Sequence, residues 1–189
     1  MNVAEEICGE WLRHCRGCEF IQYNRKAARG GGEIDVIGLN VATQTVYCCE
    51  VAAHLSTGLL YVKGSVTANR EKLIQKFHTD IQEVTIRFPG HKQVFMFWSP
   101  IVYDGRGKSK ATQMADVTGF VASIKASHGV DVELVLNETF HACLTDLRAV
   151  ARKTESAMEP SFMRYLQIEE WLGKFLKSQP EAGCFNGPR

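Results

Sequence analysis

Asp35 and Glu50 are the residues whose types and spacing first suggest chemistry. They sit in two apolar-rich segments, 33–39 (EIDVIGL) and 45–53 (TVYCCEVAA), joined by a short polar stretch. If these pair as a hairpin with its turn centred between Ala42 and Thr43, opposed residues have numbers that sum to 85. Asp35 then falls across from Glu50, with Cβ atoms about 5 Å apart. Alternation puts Ile37, Leu39, Val46 and Cys48 on the same face, with Glu33 opposite Ala52. Like charges opposed across a ladder repel, so the pair asks for a proton or a cation. Mg²⁺ or Mn²⁺ takes hard oxygen ligands, commonly one or two carboxylates with water and phosphate oxygens. Two acids at the end of a hairpin, beside basic residues, therefore point to metal-assisted hydrolysis of a phosphodiester. A slip of one residue in the turn would set Asp35 across from a non-acid. Strand-end carboxylates paired with basic neighbours are the plainer alternative.

Around this pair, Glu6, Trp11-Leu12, Gly17, Ile21, Asn24-Arg25, Gly32-Glu33-Ile34-Asp35-Val36-Ile37 and Cys49-Glu50-Val51 follow one another in a recognisable order. That order resembles the PD-(D/E)XK nuclease superfamily, and within it the small bacterial proteins similar to archaeal Holliday junction resolvases. Their pattern is a helix bearing a Glu, an N-R strand end, a G-E-I-D strand and an E-V-K strand. The resemblance covers about residues 3–85 and fades afterwards. It implies a restriction-endonuclease-like fold, a four-stranded mixed sheet flanked by helices, and a DNA substrate. It also implies that Asp35 and Glu50 bind Mg²⁺ (or Mn²⁺) and that Glu6 completes the acidic cluster from the first helix. The departure is Ala52, which stands where the E-V-K lysine would be, with Ala53 and His54 after it. That lysine would position or activate the attacking water and offset charge in the transition state. Lys72, in the first turns of the next helix, is the expected replacement, with Lys76, Lys63 and His54 as alternatives. A chain that kept the fold and lost the reaction is the remaining outcome.

The elements that must position these groups can be read from periodicity and punctuation. Val3, Ile7 and Trp11 recur at helical spacing over 3–15, and Asn2 offers a cap with Glu5 three residues on. Gly17 ends that helix, and a short strand follows at 20–23. After the hairpin, Gly58 and Gly64 frame a loop, and a long helix runs from Val66 or Thr67 to Phe88. Leu73, Phe77, Ile81 and Val84 form its buried stripe. Pro89-Gly90 stops it. A strand at 93–98, a polar loop at 103–110, a helix at 111–127 and a strand at 130–136 come next. Helices at 138–152 and 160–177 complete the chain. The fold class is α/β, a mixed central sheet of four or five strands flanked by helices. Residues 1–152 form the domain, and 153–189 a C-terminal helical extension packed on it. Phe162, Tyr165, Ile168, Trp171, Leu172 and Phe175 give that extension an apolar stripe, for packing on the domain or for a subunit contact.

Composition narrows the classes further. The chain has 189 residues and a formal net charge of +1, a length suited to one domain with its own core. No apolar run approaches the roughly 18 residues of a membrane helix, so no membrane partner is expected. Carboxylates stand near the N-terminus where a secretory signal would be basic and then apolar. Seven cysteines, an odd number, fit a reducing cytoplasm better than a disulfide framework. Cys15 and Cys18 make a lone C-x-x-C without a second ligand pair, so buried or incidental thiols are expected. Residues 63–110 carry nine basic against four acidic side chains, while 111–189 carry eight against ten. Such asymmetry suits a polyanion on one side. Arg25, Lys26 and Arg29, beside a glycine run, and Arg106, Lys108 and Lys110, in the polar loop, are the candidate nucleic-acid contacts. The expected function is a divalent-metal-dependent DNA endonuclease in a repair, recombination or restriction setting. A non-catalytic nucleic-acid-binding or assembly protein is the alternative, and a purely structural protein the third reading. The resemblance also leaves a homodimer open.

Overall fold

The computed structural model describes residues 2–26, 32–63, 66–105 and 113–178, with Lys63, Val66 and Thr67 described by backbone alone. Helix α1, Val3–Cys15, begins at Asn2, whose side chain accepts from the amides of Ala4 and Glu5 while Glu5 reaches back to the Asn2 amide. This reciprocal box is the one the sequence spacing predicts. Three antiparallel strands follow: β1 Phe20–Lys26, β2 Glu33–Asn40 and β3 Thr45–Val51. A two-strand ribbon, β4 Val62–Lys63 with β5 Val66–Thr67, leads into α2, Asn69–Arg87. Then come β6 Lys92–Ser99, α3 Gln113–His128, β7 Val132–Leu136, α4 Asn137–Lys153 and α5 Ser161–Ser178.

The sheet runs β1-β2-β3-β6-β7, with β3, β6 and β7 parallel. The fold is thus α/β, a mixed five-stranded sheet flanked by helices and followed by C-terminal helices. Parallel neighbours need crossovers, and α2 and α3 supply them. One sheet face buries Val36, Cys49 and Trp98 under Cys8, Trp11 and Leu12 of α1, Phe140 and Leu147 of α4, and Met163 and Leu166 of α5. The other buries Ile37, Val46, Cys48, Phe95 and Phe97 under Leu73, Phe77, Ile81 and Val84 of α2 and Phe120 of α3. The two faces differ by one residue of register, as period-two alternation requires. Helix α5 lies against α4, where Arg148 and Arg152 pair with Glu169 and Glu170 at 3.0 and 2.6 Å.

Two boundaries and one contact stand apart from what the sequence predicts. Strand β1 continues past Tyr23 because Arg25 and Lys26 still pair with Ile34 and Glu33, although Asn24 between them adopts a left-handed backbone with φ 51°. Helix α2 starts at Asn69, not at Val66 or Thr67, because those two residues fold back on β4. Asn69 then locks the join: its Oδ1 accepts from the Tyr61 amide at 2.7 Å and its Nδ2 donates to the Leu59 carbonyl at 3.3 Å. Finally, His78 and His128, fifty residues apart, meet between α2 and α3 with ring nitrogens 2.8 Å apart. Nothing in their spacing announces it.

No helix among the described residues is long and apolar enough to cross a membrane. The six described cysteines are free thiols, Cys15 exposed and the other five buried.

Candidate active site

The hairpin has the register of a turn centred between Ala42 and Thr43, without the one-residue slip. Val36 opposes Cys49, Ile37 opposes Cys48 and Asn40 opposes Thr45, so opposed numbers sum to 85 and Asp35 falls opposite Glu50. The backbone ladder ends one pair short of them. There the Asp35 carboxylate takes over, accepting from the Val51 amide through Oδ2 at 2.7 Å. Both side chains lie on the α2 side of the sheet, where Ile37 and Cys48 of the same face are packed.

Glu50 has a side chain with no solvent exposure, and its Oε1 is ion-paired with Lys76 Nζ from α2. Its Oε2 is buried with no hydrogen-bond partner among the described residues. Asp80, one turn beyond Lys76, is 2% exposed, and its Oδ2 is likewise buried without such a partner. Burial pushes the Asp80 carboxyl up to about 7; Lys76 pulls it down and Asp35 adds to the rise. Burial also raises Asp35, against the pull of Lys76 and of the Val51 amide. Lys76 is therefore the cation shared by three carboxylates, and it also lies over the Tyr61 ring at 5.9 Å. Asp35, Lys72, Lys76 and Asp80 line an open groove of about 440 Å³ together with Glu33 and Thr79.

The helix phase explains this arrangement. Leu73, Phe77, Ile81 and Val84 dock α2 on the sheet, and Lys76 and Asp80 fall along one edge of that stripe. Asp80 is an acid at the edge of an apolar stripe, the one sign in the sequence that marks it for the groove. Lys72, the expected replacement lysine, is exposed and lines the groove, but the ion pair to Glu50 comes from Lys76 one turn later. Position 52 itself is closed to a cation: Ala52 is 2% exposed among the apolar residues under α2. Its amide donates to the Trp98 carbonyl at 2.8 Å.

Glu6 does not join the cluster. Its Oε1 accepts from the Phe162 amide at 3.0 Å, so it caps the start of α5 on the opposite side of the sheet. The first-helix carboxylate whose charge acts on Asp35 is Glu5, which is buried and tied to Asn2. His54 is exposed, with its ring edge-on to Tyr61 at 6.0 Å. Lys26 is exposed opposite Glu33 at the rim of the groove, and Arg25 donates to Gln22 Oε1 at 3.2 Å. Arg29, Arg106, Lys108 and Lys110 lie outside the described residues, as does the side chain of Lys63.

Among the described residues, no group of three or more His, Cys, Asp and Glu is placed to hold a metal ion. Asp35 and Glu50 are a pair of hard-oxygen donors, and the ammonium of Lys76 lies against them. That chemistry fits Mg²⁺ or Mn²⁺ bound through two carboxylates, with water and substrate completing the shell. No protein-family model matches the chain, and no curated protein or solved structure matches it.

Proposed function

We propose that the protein is a divalent-metal-dependent DNA endonuclease of the PD-(D/E)XK type, with Asp35 and Glu50 as metal-holding carboxylates and Lys76 in place of the lysine missing at position 52. The observation that carries this reading is the ion pair between Lys76 and Glu50 beside Asp35 in one open groove. A lysine from the neighbouring helix reaches the carboxylate pair where the strand itself offers only Ala52.

When bound, Mg²⁺ supplies Lewis-acid polarisation of the phosphate and a water of lowered pKa. The Val51 amide fixes Asp35, and the wall of α2 fixes Glu50, so both ligands are held before substrate arrives. Lys76 offsets the negative charge that builds on the phosphate as water oxygen attacks phosphorus and the P–O ester bond breaks. Asp80 Oδ2, poised near neutrality, is suited to take the proton lost by the attacking water. Lys72 and Lys26, at the groove's rim, suit the flanking phosphates. A reducing, cytoplasmic setting fits the free thiols.

The second reading, a nucleic-acid-binding or assembly protein without catalysis, draws support from the apolar burial of Ala52 and from Lys76 occupying Glu50. Plasmid nicking separates the two. The first reading expects the protein to nick supercoiled DNA with Mg²⁺ or Mn²⁺, and Asp35→Ala, Glu50→Ala and Lys76→Ala to abolish nicking while far-UV circular dichroism is unchanged. Salt-sensitive DNA binding with no cleavage under either metal would reject it in favour of the second.

A further inference from the structure

Helix α5 turns one stripe inward and leaves another uncovered. Met163 and Leu166 are buried against α1 and α4. Tyr165, Ile168, Trp171, Leu172, Phe175 and Leu176 are 61, 55, 43, 51, 58 and 61% exposed. Six large apolar side chains on one face of an 18-residue helix reach the top of the range a monomer's surface ordinarily shows in one patch.

We infer that this face pairs with its own copy, two α5 helices packing antiparallel about a two-fold axis near Glu170. The spacing of Tyr165, Ile168, Leu172 and Phe175 is three, four and three residues, the seam of a coiled-coil-like contact. About Glu170 the seam is self-complementary. Opposed numbers sum to 340, so Tyr165 meets the second copy's Phe175 and Ile168 meets its Leu172, the reciprocal contact a two-fold interface requires.

The area is sufficient. At roughly 200 Å² per large side chain and about half exposure, each copy offers on the order of 600 Å² of apolar surface. Two copies then cover about 1,200 Å², the lower edge of specific interfaces before flanking residues are counted. Charge does not oppose the pairing, because Glu169 beside the seam is already held by Arg148 at 3.0 Å. The seam lies on the α1 and α4 side of the sheet and the acidic groove on the α2 side. Pairing through α5 leaves both grooves open, and it stands whether or not the groove cuts DNA.

Sedimentation velocity of the full chain at roughly 50 µM, above a micromolar Kd, tests the inference. The wild type is expected to be a dimer. Ile168→Lys alone and Leu172→Glu alone should each raise the dissociation constant at least tenfold, since each buries a charge against an apolar neighbour. The double variant should regain part of the loss, because antiparallel pairing sets the introduced opposite charges against each other, whereas a parallel pair would set like against like. Phe175→Ser, which adds no charge, should weaken the dimer too and covers the case of a charged variant that loses its helical signal. A wild type that stays monomeric, or single variants as dimeric as wild type, would overturn the inference.

Discussion

Asp80→Asn is the most informative single change at the groove, because it removes a charge while keeping shape and size. In the unfolded chain this carboxyl ionises near 4; in the fold, burial pushes it up to about 7. Between those values the folded protein holds a proton that the unfolded chain has released. Folding therefore takes up a proton, and stability falls as pH rises from about 4 to about 7, then levels off. A gap of about three pH units at about 1.4 kcal/mol each makes this cost on the order of 4 kcal/mol at pH 8. The amide variant carries no such cost. Urea unfolding at pH 5 and pH 8.5, wild type against variant, reads the difference. Asp80→Asn should gain about 2.5–3 kcal/mol on wild type between the two conditions, since about 1.4 kcal/mol of the cost is already present at pH 5, most of it before pH 7.5. Mg²⁺ should shrink that gap, since a cation in the groove favours the ionised form. Parallel pH profiles for the two proteins would refute the reasoning, for they would mean that Asp80 is already charged and compensated at pH 5.

Two further changes probe how α2 is held, one at the groove and one at the start of the helix. Lys76→Met leaves the fully buried Glu50 carboxylate without its cation and should cost about 3 kcal/mol in chemical denaturation. Adding Glu50→Gln in the same chain should recover most of that loss. Asn69→Ala strands the Tyr61 amide and the Leu59 carbonyl in a buried place. It should destabilise by about 2 kcal/mol, with thermal unfolding as the measure.

Much of this protein is set by local physics and was therefore legible from its residues. The α1 box depends only on Asn2 and Glu5 three residues apart. The hairpin register depends on alternation and on a four-residue turn ending at Gln44, where φ is 48°. That is why Asp35 and Glu50 could be matched by arithmetic. Local rules gave out where an outcome needs two distant pieces to meet. Glu5 and Glu6 are adjacent carboxylates of the same first turn, and only the seating of α1 between the sheet and α5 decides which one caps Phe162. Lys72 and Lys76 share the rim of one helix, and only the depth to which Leu73 and Phe77 sink α2 decides which ammonium reaches Glu50. His78 and His128 meet because two crossover helices lie side by side. The short-range potentials that fix caps, turns and strand faces act between neighbours in sequence. The choice among equivalent charged side chains is made by packing of remote elements, and that information resides only in the assembled fold.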